Sequence, residues 1–206
     1  FAISYLLLTY LLAMGVGSLM GYAGGKIDMV GLRFVEIWSN VPFLYMVIIL
    51  VSVMPGWWGV GWQVSSLLFI MVLFSWTGMT YYVRASIYKE KAREYVAAAR
   101  VIGASPTRIV FRHLLPNVIS TLVTFAPFTI AAAISSVTAL DFLGYGLPPP
   151  TPSWGELLKQ GVNNLRIAPW IVTSTVSALV LTLTLVTFVG EAVREAFDPK
   201  KFSTYE

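Results

Sequence analysis

Side chains able to do chemistry are few in this 206-residue chain, and their types exclude most catalytic arrangements. There is no cysteine, which removes thiolate metal sites, disulfides and cysteine nucleophiles. The single histidine, His113, has no second histidine for a His-x-x-x-His metal motif. No Gly-x-x-x-x-Gly-Lys-Ser/Thr loop occurs, so no segment has the pattern that cradles nucleotide phosphates. What remains is basic: 14 Lys and Arg against 10 Asp and Glu, with seven of the 14 lying between Arg84 and Arg112. No clustered His, Cys or carboxylate constellation suggests an enzyme. A concentrated run of cations suits docking instead, onto a protein partner or onto anionic lipid.

The stretch that carries these cations has a readable local shape. Lys89 to Ile102 is rich in helix formers, with Tyr95, Val96, Ala99 and Ile102 on one apolar stripe. Gly103 stands where a residue just past a helix end would take positive φ. Ser105-Pro106 reads as the N-cap and first position of a second short helix, which carries Ile109, Val110, Phe111 and Leu114 and stops before Pro116. Two short helices joined by a sharp bend present both apolar and basic residues. A hairpin resting on lipid and a surface for a docked protein fit that pattern equally well.

The elements that must hold this bend are set by composition. Apolar residues make up 57% of the chain and charged ones 12%, with a mean hydropathy of +0.74. Soluble domains carry about 25% charged residues, so the expected solvent is lipid, and disorder is excluded. The pI near 9.4 then reflects basic loops on one side of a membrane rather than nucleic-acid binding. Helical spans need about 20 apolar residues, and five stretches qualify: 1–22, 29–53, 64–83, 117–140 and 167–190. The first holds Gly17-x-x-x-Gly21-x-x-x-Gly25, a spacing that permits close helix approach, although glycine is common in membrane helices anyway. The second carries Arg33 and Glu36, spaced to pair on one face, and Pro42, expected to kink it. Connections with 12 Lys and Arg alternate with connections holding two. The positive-inside rule therefore places the 84–116 loop and the C-terminus in the cytoplasm. Trp57, Trp58, Trp62, Trp154 and Trp170 fall near the opposite interface. Phe1 lies already within an apolar run, so an earlier span is expected before it.

The stretch EYVAAARVIGASPTRIVFRHLLPN, Glu94 to Asn117, resembles the EAA loop of permease subunits of bacterial ABC importers. Ala98, Ala99, Gly103, Leu115 and Pro116 occupy that pattern; Ala97 stands where the family has glutamate, and Glu94, one turn earlier, is the acidic residue able to replace it. DFLGYGLPPPTPSWGELL, Asp141 to Leu158, looks like the FLGxG…PPxPSWG segment of the oligopeptide and dipeptide branch. VEIWSNVP from Val35 and VGEAVREAFDPKKF from Val189 are similar to the YejE type of microcin C and peptide permease. The resemblance covers nearly the whole chain.

It implies an all-α, polytopic transmembrane bundle with the type I ABC importer permease fold, as a single permease domain over 1–206 with a cytoplasmic EAA or coupling loop at 85–116. The implied function is the inner-membrane permease of an ATP-driven importer, forming half of the path for peptides or peptide-like compounds. The implied partners are a homologous second permease, cytoplasmic ABC ATPases that would hold ATP and Mg, a periplasmic or lipid-anchored substrate-binding protein, and membrane lipid. This chain itself is expected to bind no cofactor or metal and to hydrolyse no ATP. The resemblance assigns ATPase coupling to Glu94, Ala98, Ala99, Arg100, Gly103, Ala104, Ser105, Arg108, Leu115 and Pro116. A substrate path on the outer side would pass Asp141, Gly144, Gly146, Trp154 and Glu156, where two acidic groups could attract a cationic peptide terminus. Thr and Ser residues of the last span, from Thr173 to Thr187, are further candidates for the path or for gluing helices together. A secondary transporter or channel is the rival reading. It lacks the ionisable residues near midplane on which ion coupling acts.

Overall fold

The computed structural model of the chain describes residues 1–196, without the side chain of Thr121. Lys200 and Lys201, counted above with the basic tail, lie outside the described residues, as does the end of the motif that begins at Val189. Nine α-helices are described: α1 (Ala2–Ala23), α2 (Gly25–Ser39), α3 (Phe43–Ser52), α4 (Val60–Lys91), α5 (Glu94–Val101), α6 (Pro106–Ile109), α7 (Leu115–Leu143), α8 (Trp154–Asn163) and α9 (Pro169–Ala196). A π-turn, Val110–Leu114, joins α6 to α7. The all-helical, membrane-type architecture expected from composition is the one observed.

Among the described residues, four helices are long and apolar enough to cross a membrane, α1, α4, α7 from Leu122, and α9; α2 and α3 make a fifth only as one broken span bent by 70°. The expectation of a single kinked helix over 29–53 is thus corrected. Pro42 lacks the N–H a helix would need and ends up as the N-cap of α3, while the chain ahead of it closes on itself. Asn40 donates its side-chain amide to the Glu36 carbonyl at 2.8 Å, and Ser39 its hydroxyl to the Val35 carbonyl at 2.7 Å. Free carbonyls of α2 are satisfied locally, so the break is a finished helix end rather than a bent ladder.

The described residues divide into two compact units. The first comprises Phe1–Leu6, Pro42–Leu73 and Ala126–Ala192. Its core is Tyr5, Val47, Leu67, Met71, Val72, Ala133 and Leu140, with Tyr145 and Leu147 packed against it. Two glycines let α8 approach its neighbours: Gly155 faces the Thr138 carbonyl and Asp141 of α7, and Gly161 faces Val172 of α9. Along α9 the large side chains are uncovered, among them Leu181, Leu185 and Phe188. Its Thr175 and Thr187 hydroxyls donate to their own helix carbonyls at 2.7 and 2.8 Å. Such self-satisfied polar groups suit a helix that faces an apolar medium.

The second unit comprises Leu7–Val41, Phe74–Phe125 and the described residues from Val193. Met20, Val35 and Trp76 form its core, bordered by Val16, Leu32, Trp38 and Tyr81. Aromatic rings continue it, with Trp38 stacked on Phe74 at 5.5 Å and tilted against Phe34 at 5.6 Å. The glycine spacing in α1 acts as the sequence suggests at two of its three positions. A Cβ on Gly17 would lie 2.8 Å from Val83, and one on Gly21 2.9 Å from the Arg84 carbonyl, so only glycine admits α4 this closely. Gly25 faces open space and instead supplies a positive φ of 53° between α1 and α2.

Candidate functional site

The basic stretch is rooted by a charged cluster that joins three helices of the second unit. Arg84, near the end of α4, embraces Asp28 of α2: Nη2 donates to Oδ2 at 2.6 Å and Nε donates to Oδ1. The Tyr88 hydroxyl donates to the same Oδ2 at 2.8 Å, and its ring lies 5.1 Å under the guanidinium. One turn on, Lys91 Nζ donates to the Tyr22 carbonyl in the last turn of α1. A cation there also meets the negative end of that helix dipole. Removing one partner from a fully buried ion pair costs about 3–5 kcal/mol; this pair, with side chains 24% and 10% exposed, lies below that limit and above a surface pair. The pair Arg33–Glu36, 2.7 Å apart as its spacing predicts, is far more exposed and contributes about 0–1 kcal/mol.

Beyond the root, α4 stops at Lys91 and α5 starts afresh at Glu94, so the single helix expected over 89–102 is two. Arg93 takes an extended conformation at the joint. A second junction braces it. The Tyr95 hydroxyl donates to Glu90 Oε2 at 3.0 Å and accepts from Asn117 Nδ2 at 3.2 Å, while Asn117 also donates to the His113 carbonyl at 2.8 Å. Tyr95 thereby ties α5 to the ends of both α4 and α7. Burial first, then the Glu90 bond, pushes its hydroxyl above the usual tyrosine range, so it remains a donor at neutral pH. A polar cleft of about 630 Å³ lies here, lined by Arg93, Arg112 and His113 as well.

The bend itself is a complete Schellman cap. Gly103 has φ of 80°, its N–H donates to the Arg100 carbonyl at 3.0 Å, and the Ala104 N–H donates to the Ala99 carbonyl at 3.0 Å. Ser105 then caps α6, accepting from the Arg108 N–H at 3.4 Å, with Pro106 at the first helical position. Both readings from the sequence hold. The second helix does not stop before Pro116, however. It widens into the π-turn, where the Leu115 N–H reaches back to the Val110 carbonyl, and continues as α7. Pro116 has no N–H for the Arg112 carbonyl, and the widened turn precedes it directly.

This geometry sorts the predicted coupling residues. Ala99 is buried, along with Val96, Ile109 and Leu114, and fastens the elbow to its unit. Glu94, Ala98, Arg100, Gly103, Ser105, Arg108 and Pro116 are exposed, while Ala104 and Leu115 are half-buried. Ile102, expected on the same apolar stripe as the buried Val96 and Ala99, is 85% exposed beside Val101 at 86%. The period breaks because Ile102 is the C-cap residue and has left the helix. Two bare aliphatic side chains thus crown the bend, and the exposed Arg100 and Arg108 lie on the two helices that flank it. Neither arginine has an ion-pair partner among the described residues.

The outer segment lies in the first unit. Asp141 is 4% exposed and accepts the Leu147 N–H on Oδ1. Gly144, with φ of 84°, ends α7, and Ser153 caps α8 by accepting the Glu156 N–H at 3.1 Å. The peptide bond between Pro149 and Pro150 is cis. All five residues assigned to the substrate path border two adjacent cavities. One of about 460 Å³ is lined by Asp141, Gly144, Gly146 and Glu156; the other, about 300 Å³, by Asp141 and Trp154. Lys159 lines the larger one, so that cavity holds a cation beside its two carboxyls.

The sequence gives Asp28 and Tyr88 no role, puts Tyr95 only on the apolar stripe and Asn117 only at the end of the EAA-like stretch. The available signal was Asp28 and Arg84, opposite charges near the ends of two apolar runs, where an ionisable group needs a partner.

Residues 13–203 match the family described as "Binding-protein-dependent transport system inner membrane component". The chain is 43% identical over 98% of its length to the peptidoglycan transport system permease protein YejE of Agrobacterium fabrum, and 46% identical over 91% to the inner membrane ABC transporter permease protein YejE of Escherichia coli. It is 36% identical over 89% of its length to the oligopeptide transport system permease protein OppC of Haemophilus influenzae. It spans about half the length of the curated relatives it matches, 51% and 54% of the two YejE proteins. In fold it is similar to a chain of the MetNI methionine ABC transporter, with a TM-score of 0.71 over 96% of this chain and 94% of that one, at 18% identity. The chain therefore belongs to the family of binding-protein-dependent transport system inner membrane components and has the type I ABC importer permease fold.

Proposed function

We propose that this chain forms half of the translocation path of an ATP-driven importer for peptides or peptide-like compounds, acting as a transport subunit rather than an enzyme. The 85–116 elbow faces the cytoplasm and enters a groove on an ABC ATPase that holds the ATP and Mg. A second permease completes the path, and a substrate-binding protein delivers cargo to the outer segment. The observation that carries this reading is the bare Val101–Ile102 crown on a rigidly capped bend. An exposed aliphatic pair on a lone subunit is poorly placed for water, and the basic residues of the same elbow would favour a partner with an acidic rim. Coupling then needs the elbow to move its helices as one body, which the Arg84–Asp28 root and the Tyr95 junction provide. At the outer segment, Glu156 and the 460 Å³ cavity give a peptide amine an acidic approach.

Because the sequence contains no cysteine, topology can be read directly. Ser105→Cys should react with an impermeant thiol reagent only in inside-out vesicles, and Ser153→Cys only in right-side-out ones. The reverse pattern would refute the orientation. Gly103→Trp should leave membrane insertion intact and abolish ATP-dependent uptake by the assembled importer; normal uptake would remove the coupling role.

A further inference from the structure

The second unit carries a long apolar groove between α1 and the α6–α7 end of the elbow, with Leu115 among its lining residues. It holds about 790 Å³, with Leu11, Met14 and Leu19 of α1 on one side and Val110, Phe111 and Ile119 on the other. From Leu11 to Ala23 it follows α1 for about 18 Å, at about 1.5 Å per residue. Gly15 leaves its floor open, since a Cβ there would meet nothing within 4 Å. Ser18, also in the lining, is 5% exposed, and its hydroxyl has no hydrogen-bond partner.

One end of the groove is charged. Tyr22 belongs to the lining, and its ring is flanked by Lys91 Nζ at 5.3 Å and Arg100 Cζ at 6.0 Å. Arg100 has no ion-pair partner among the described residues, so its charge is available to a ligand. An apolar slot ending at two cations is complementary to an amphiphile with an anionic head. We propose that the groove is a binding site for an anionic phospholipid of the surrounding membrane, one acyl chain lying along α1 and the phosphate resting between Lys91 and Arg100. A zwitterionic lipid would fill the slot equally well but bring an ammonium to the same cations, so headgroup charge decides selectivity. Arg100 sits on α5, and the lipid would therefore touch the elbow directly.

The test uses the assembled importer, purified and exposed to phosphatidylglycerol or phosphatidylcholine, each carrying a photoactivatable acyl chain. Retained lipid is counted by native mass spectrometry, and cross-linked residues are mapped. Phosphatidylglycerol should be retained preferentially and cross-link to Phe111 and Ile119. Arg100→Gln should weaken its retention roughly fivefold, and Gly15→Trp should abolish the cross-link while the complex stays assembled. Equal retention of the two lipids overturns the proposal, as does unchanged retention in both variants. Lipid cross-links that map to neither Phe111 nor Ile119 would also overturn it, by showing that lipid does not enter the groove.

Discussion

The elbow and the outer segment begin with the same backbone device and end in opposite arrangements. Each follows a helix closed by a Schellman cap on a left-handed glycine, Gly103 at φ 80° and Gly144 at φ 84°. In each, the residue after glycine donates five positions back, Ala104 to Ala99 and Tyr145 to Leu140. Each then starts a new helix on a serine N-cap, Ser105 or Ser153. Just before the first glycine, Val101 and Ile102 stand 86% and 85% exposed; at the same positions before the second, Phe142 and Leu143 are only 41% and 47% exposed, and past it Tyr145 and Leu147 turn inward onto the core beside the buried Asp141. Local capping fixes a bend but not its direction. The side chains around it decide whether the bend is filled by its own unit or left for a partner.

Breaking the rigid parts gives the largest effects. Arg84→Leu strands the Asp28 carboxylate and should lower stability by about 3 kcal/mol, the lower end for a buried pair because Arg84 is 24% exposed, read as a fall in the purified importer's thermal transition. Restoring a cation with Arg84→Lys should recover only part of this, because two of the three contacts on Asp28 come from the guanidinium. On the outer side, Gly155→Val forces a Cβ against the Thr138 carbonyl and the Asp141 side chain, and overpacking of that kind costs about 1–3 kcal/mol. Asp141→Leu leaves the Leu147 N–H without its acceptor and should cost a similar amount, again by thermal unfolding.

The elbow's own surface should respond differently. Gly103→Ala places a Cβ in the left-handed region and costs about 1–2 kcal/mol. Tyr95→Phe keeps the ring but cuts the bonds to Glu90 and Asn117. It should slow ATP-dependent uptake more than it lowers the melting temperature. The smallest stability change belongs to the double variant Val101→Asp with Ile102→Asp, within about 0.5 kcal/mol, since both side chains are already in the open. Its uptake should nonetheless be lost. A crown that matters for uptake and not for stability is what separates a docking surface from the self-filled outer bend.

Features encoded within one turn of helix were legible in the sequence. Gly103, Ser105-Pro106 and Arg33–Glu36 all act on near neighbours, and each is found as read. Hydropathy located the spans, because lipid demands long uncharged runs, but not their ends: α4 runs on to Lys91, its polar last turns held by Asp28 and Tyr22. That pairing was not legible: each charge near the end of an apolar run calls for a partner, but with 56 positions between Asp28 and Arg84 nothing local says which one. The break at Ala92–Arg93 was missed because both residues are good helix formers, and propensity yields to the tertiary bonds around Tyr95. Pro42 announced a disruption, while its 70° came from the caps at Ser39 and Asn40. In the outer segment the five named residues do meet around two cavities, but nothing in the sequence signals that Asp141 would give Oδ1 to the Leu147 N–H and keep Oδ2 buried without a partner.

The claim that the elbow is a socket-filling knob is tested most directly by site-specific cross-linking in the assembled importer. With Ile102→Cys as the chain's only thiol, a short heterobifunctional reagent should join it to the ATPase subunit in high yield, and Trp57→Cys, exposed in the other unit, should give no such product. An Ile102→Cys variant that labels freely with soluble thiol reagent in the complete complex, and yields no ATPase adduct, would contradict the account.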